Sequence, residues 1–137
     1  MKKIINTLNA PAPIGPYSQA VQSGNMLFVS GQVAINPATG DLILDSLEAE
    51  ATQVMKNLEA VLSEAGATFD NVVMTTIFLA DMSDFATVNG IYGAYFTADF
   101  PARATVAVKT LPKNVNVEIS VIAVIYCVKN CEILKIS

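Results

Sequence analysis

The chain has 137 residues, 53% of them hydrophobic, and carries eight basic against twelve acidic side chains, a formal net charge of −4 with no histidine. That length suits one domain, residues 1–137, with a core of its own. The missing histidine excludes His-based triads, His-ligated metals and an imidazole base, and the few scattered Lys and Arg argue against a nucleic-acid surface.

Met1-Lys2-Lys3 leads into mixed residues with no apolar signal core, and the longest apolar run, Val121 to Val128, is too short to span a bilayer, so neither membrane insertion nor export is expected. Asn9 to Pro16 holds three prolines and Gly15, which forbid a helix and predict a rigid extended loop delivering Tyr17 and Ser18. Strands are predicted at Ser18–Val21 and Met26–Ser30, joined by a hairpin at Ser23-Gly24-Asn25. Gly31 then marks a bulge, a backbone that something approaches closely, or a plain strand end. Asn36 to Asp41 reads as a turn cluster.

Asp45 with Glu48 predicts a helix cap, and Leu47, Ala51, Val54, Met55, Leu58, Leu62 and Ala65 follow at helical spacing until Gly66. Val72–Leu79 has the length and β-branched content of a central strand. A second helix is predicted from about Ser83-Asp84, with Phe85, Val88, Ile91, Tyr92, Tyr95 and Phe96 on its apolar face. Gly90 and Gly93 weaken it and suggest close packing against a neighbour, while Asn89 suits a local backbone contact. Strands at about Arg103–Thr110 and Asn116–Val128, joined by the turn Leu111–Val115, complete the order β-β-α-β-α-β-β. The expected class is α+β: one mixed sheet with two helices on a single face, its apolar other face covered by another subunit. Cys127 and Cys131 form no disulfide framework and suit a reducing compartment.

Arg103 is the only arginine, and its planar fork matches a carboxylate two bonds at a time; a strand-end ion pair is the structural alternative. Glu118 is the only carboxylate between Asp99 and Cys131 and interrupts an apolar strand, either for chemistry or for an ion pair with a lysine. A four-residue turn pairing Thr110 with Val115 would set Arg103, Thr105 and Glu118 on one face of a hairpin, with room for a small anion between Arg103 and Glu118. No Ser or Cys has a base beside it, so the set of Arg103, Glu118, the Tyr17 phenol and backbone donors near Gly31 suits hydrolysis of an already electrophilic substrate by a positioned water.

Gly15-Pro16-Tyr17-Ser18-Gln19-Ala20, Ser30-Gly31-Gln32, Asn36-Pro37 with Thr39-Gly40, Asp84-Phe85-Ala86-Thr87-Val88-Asn89, Phe100-Pro101-Ala102-Arg103 and Val117-Glu118-Ile119 appear in order from about Asn9 to Val124. In this the chain resembles the Rid (YjgF) family, and within it the RidA type. The resemblance implies a chorismate-mutase-like fold, a homotrimer with sites between subunits, and 2-iminobutanoate/2-iminopropanoate deaminase activity. The substrates would be enamines and imines released by pyridoxal-phosphate enzymes, and the products 2-oxo acids and ammonia, in the cytoplasm. It sets Arg103 on the substrate carboxylate and Glu118 on the attacking water, with Tyr17, Gly31, Thr105 and Asn89 binding substrate. No cofactor, metal or nucleic-acid partner is implied. Thr105 departs from the cysteine many RidA members carry, and the tail from about residue 125 to 137 runs past the usual end. The competing readings are a non-catalytic sensor of 2-oxo acids and an RNA-cleaving or translation-inhibiting protein.

Overall fold

The computed structural model describes residues 1–126. Its long helix, α1 (Leu47–Glu64), buries Ala51, Val54, Met55, Leu58, Val61 and Leu62 as one stripe. The cap is Ser46, whose side chain accepts the Ala49 N–H at 3.0 Å, and not Asp45 as the sequence suggested. Capping needs an extended residue directly before the first turn, which Ser46 is. Gly66 ends the helix with φ 78°, a left-handed conformation that glycine adopts freely.

Six strands form one sheet: β1 (Lys2–Ile5), β2 (Ala20–Ser23), β3 (Met26–Gln32), β4 (Val72–Leu79), β5 (Ala102–Ala107) and β6 (Val117–Val124), in spatial order β1-β2-β3-β6-β4-β5. Strand β1 is an addition to the expected set; two lysines in four residues hide its pairing with β2. The second helix, α2 (Phe85–Gly93), connects β4 to β5, which lie parallel.

The hairpin expected between the last two strands does not form. β6 lies antiparallel between β3 and β4, and β5 sits beyond β4 at the sheet edge. The cause is β4, whose side chains are at least half-buried at every position except Val73, so it takes a neighbour on both edges. The chain crosses over through Pro112–Asn114, where Lys113 and Asn114 stand at φ 59° and 55°. Left-handed backbone at two residues other than glycine costs about 1 to 2 kcal/mol each, so tertiary contacts must hold this turn.

The cross-strand register divides the sheet into two faces. Leu27, Val29, Thr75, Ile77, Leu79, Val117, Ile119, Val121 and Ala123 are all buried; this face packs against α1, and α2 reaches it through the Tyr92–Thr75 hydrogen bond. The opposite face carries an apolar row across all six strands, Ile4, Val21, Phe28, Ile122, Met74 and Ala102, each aligned with the next. Ile4 and Phe28 in that row are 51% and 45% exposed. Gly90 and Gly93 were expected to mark close packing; a Cβ at either would meet nothing within 4 Å, so steric crowding in this chain does not explain them. No helix among the described residues is long and apolar enough to cross a membrane. Cys127, Cys131 and most of the proposed tail lie outside the described residues.

Candidate functional site

The residues singled out from the sequence gather in two places. The first lies at the exposed edge strand β5. Arg103 aligns with Thr75 of β4, which faces α2, and its guanidinium stands 5.2 Å from the Tyr92 ring centre and 5.6 Å from that of Phe85. Asn89 Oδ1 accepts a hydrogen bond from Arg103 Nη1 at 2.6 Å. Phe85, Asn89 and Tyr92 fall at the i, i+4, i+7 spacing, one stripe of α2 turned toward the arginine. Tyr92 is fixed in turn by donating to Thr75 Oγ1 at 3.0 Å, and burial raises its phenol pKa despite that bond and the nearby Arg103 charge. Among the described residues all these partners are neutral, so no carboxylate occupies the guanidinium and most of its donors are open to a ligand.

A cleft of about 480 Å³ opens beside it, lined by Asn89, Tyr92, Gly93, Phe100, Pro101 and Arg103. Thr105 follows on the same face of β5, aligned with Ile77, and its Oγ1 is buried with no hydrogen-bond partner among the described residues. Asn89 thus supports Arg103 and also lines the cleft; its amide bonds the arginine side chain where the residue pattern suggested a local backbone contact.

The second place is a cavity of about 350 Å³ lined by Ile14, Tyr17, Ser30, Gly31, Val33, Ile35, Pro112, Lys113 and Glu118. The proline-rich loop is anchored there by Gln19, almost fully buried, whose Oε1 accepts the Thr7 N–H at 2.7 Å and whose Nε2 donates to Thr7 O and Pro11 O, both at 2.9 Å. Ser30 Oγ donates to Ser18 O at 2.6 Å and ties the loop to β3, so Tyr17 stands at the cavity wall.

The ladder between β3 and β6 slips between Val29 and Gln32, and Gly31 lies in that irregular stretch. A Cβ on Gly31 would fall 2.7 Å from Glu118 Cδ and 2.9 Å from Oε2. The carboxylate therefore lies against bare backbone, and the bulge and close-approach readings of Gly31 hold together, while the plain strand end does not. Burial raises the Glu118 carboxyl pKa above the ordinary carboxylate value, and among the described residues no charged partner contributes to the shift.

The two clusters do not meet within one chain. Glu118 aligns with Phe78 and Arg103 with Thr75, on strands separated by β4. Their backbones are thus roughly 10 Å apart across the sheet and roughly 10 Å along it, with the side chains on opposite faces. The shared face expected for Arg103, Thr105 and Glu118 is overturned, because it depended on the hairpin that β4 displaces. Phe85, which flanks the guanidinium, and Tyr92 and Lys113, which line the two cavities, are site residues that the sequence does not single out. The helical stripe through Asn89 could have revealed the first two, whereas Lys113 reaches the cavity through a turn that no periodicity encodes.

A family-wide sequence profile described as Endoribonuclease L-PSP matches residues 7–125. The 2-iminobutanoate/2-iminopropanoate deaminase of Mus musculus is 51% identical over 124 residues, 90% of this chain and 92% of its own length. Among solved structures, a protein of the Rid family from Yersinia pestis, YyfA, superposes with a TM-score of 0.89 at 50% identity, over 91% of this chain and 100% of that one. TdcF of E. coli, solved with bound serine, gives 0.87 at 39% identity, over 90% and 99%.

Proposed function

The chain belongs to the Endoribonuclease L-PSP family, the Rid family, and from that premise we propose that it is a hydrolytic deaminase of short 2-imino acids, 2-iminobutanoate and 2-iminopropanoate, acting in the cytoplasm. The observation that carries this is the pair of half-sites. One presents a cation held, among the described residues, by neutral groups, the other a carboxylate held against glycine backbone. Since the two are far apart in one chain, the working site pairs Arg103 of one copy with Glu118 of another. A homotrimer is the proposed assembly, and the apolar row from Ile4 to Ala102 offers the surface that copies would cover.

In such a site Arg103 takes the substrate carboxylate in its fork, and Asn89 with the two aromatic rings keeps that fork from swinging. The imine carbon is already electrophilic, so little beyond a placed water is required. Glu118 holds that water and accepts its proton as the new C–O bond forms; its raised pKa suits it to take the proton and return it to the nitrogen. The carbinolamine then collapses, the C–N bond breaks, and a 2-oxo acid and ammonia leave. Thr105 Oγ1, unpartnered among the described residues, is a further donor for the carboxylate end.

Cleavage of RNA, the activity in the family's description, is the weaker alternative. The net charge is −4, and no histidine is available as acid or base. The deciding measurement couples the purified protein to a threonine dehydratase and follows ammonia and 2-oxobutanoate. Faster release than in buffer is expected, and no acceleration would sink the proposal.

A further inference from the structure

α1 carries two fully buried polar side chains on the face that packs against the sheet, Glu50 at 0% and Asn57 at 1% exposure. They are two turns apart on one stripe, about 10 Å along the axis. Glu50 Oε2 accepts the backbone N–H groups of Asn116 and Val117 at 2.8 and 3.2 Å, and Oε1 accepts Asn116 Nδ2 at 2.7 Å. Asn57 Nδ2 donates to the carbonyls of Val33 and Ile35, each at 3.0 Å, and its Oδ1 accepts from Gln53 Nε2 at 2.9 Å.

Two of these partners line the Glu118 cavity, and the other main pair sits directly before Glu118 in the chain. Val33 and Ile35 line it on the β3 side, and Val117 immediately precedes Glu118 on the β6 side. A carboxylate with no access to water is costly even when well bonded, and an apolar side chain of similar size would commonly be at least as stable there. What an apolar residue could not do is meet three donors and fix the peptide that carries Glu118, just after the left-handed turn at Lys113 and Asn114.

We infer that Glu50 and Asn57 are positioning residues: from one face of α1 they hold the β6 and β3 walls at a fixed separation, so that the Glu118 carboxylate stays against the Gly31 backbone. The consequence for turnover rests on the deaminase proposal; the placement of Glu118 rests on geometry alone.

The test uses the full chain with Glu50→Ala, Glu50→Gln, Asn57→Ala and the milder Asn116→Ala, whose site is exposed and which removes only one of the bonds to Glu50. Two readouts are taken: kcat and KM on imine generated in place, and the titration of the Glu118 carboxyl by carbon-13 NMR. Tyr17 and Lys113, the other titratable groups lining the cavity, are left intact. Glu50→Ala and Asn57→Ala should lower kcat about 10- to 100-fold, the scale of a roughly 1 Å misplacement, with KM within about twofold. In both, the Glu118 titration midpoint should fall toward the ordinary carboxylate range as its cavity loosens. Asn116→Ala should move both readouts less, in the same directions. Glu50→Gln should recover most of the rate, because its amide oxygen serves the two backbone donors while the Asn116 amide turns to offer its own oxygen. Variants that only lose thermal stability, with kcat per folded molecule and the Glu118 midpoint unchanged, overturn the inference. Should wild type show no deaminase activity, the functional proposal fails, and the titration in Asn116→Ala and Glu50→Gln still decides the positioning role.

Discussion

The cleft at Arg103 holds a cation on an exposed edge strand with two aromatic faces and one amide, whereas the cavity at Glu118 holds an anion half-buried against glycine backbone. An exposed arginine keeps its hydration, so its neighbours need only restrict where the guanidinium points. A half-buried carboxylate has lost solvent, and its altered proton affinity follows from that loss. One half-site is tuned by orientation and the other by desolvation, so substitutions in the two should fail in different ways.

The largest effects come from removing each charge. Glu118→Gln should lower kcat by about 10²- to 10⁴-fold, the usual share of a positioned acid–base group. Arg103→Ala should cost on the order of 10²- to 10³-fold in kcat/KM, much of it in KM, as expected when the partner of a charged ligand group is deleted. Co-assembling the two inactive variants in equal amounts separates a shared site from two independent ones. If each site takes Arg103 and Glu118 from different copies, about a quarter of wild-type activity returns. No recovery in co-assembled protein would show that the two half-sites do not act together across copies.

Gly31→Ala should come next. The new methyl lies where the Glu118 carboxylate now rests, so the side chain must swing away. A kcat loss of about 10- to 100-fold is expected, with binding through Arg103 largely kept. Equal losses in kcat and kcat/KM, measured by steady-state kinetics, would fit displacement of Glu118 alone.

The smallest effect is in stability and pH. Folding raises the Glu118 pKa above 4.5, so the folded chain binds that proton more tightly than the unfolded one. Stability is therefore lost as pH rises from the unfolded value through the folded one, and the ionised carboxylate is a burden at neutral pH. Glu118→Gln should melt about 2 °C higher than wild type at pH 7, with the gain fading in acid as wild type takes up its proton. The acid limb of the wild-type rate should lie above pH 4.5 for the same reason. A lower melting point for Glu118→Gln would assign the carboxylate a stabilising role instead.

Much of the fold was legible because periodicity and punctuation were strong. Val72–Leu79 reads as a strand from end to end, and α1 is readable from Leu47 to its glycine stop. Arg103 and Glu118 stood out because each is alone of its kind in its stretch. Their spatial relation was not legible, since it depends on which strand β6 chooses as neighbour. That choice follows from β4 needing cover on both edges, a property of the assembled sheet. Glu50 carries no signal in the sequence, because an acid in the first turns of a helix usually faces solvent and only tertiary contacts reveal its burial.

Strand order has a consequence for how the molecule comes into being. β6, the last described strand in sequence, occupies the middle of the sheet and alone joins the β1-β2-β3 meander to the β4-β5 pair. On a ribosome the two halves would wait side by side, each with an open edge, until residues 117–124 emerged. Such late, non-local closure is slow compared with hairpin zipping. It also acts as a checkpoint, since the strand that seals the sheet is the one that carries Glu118 into its cavity.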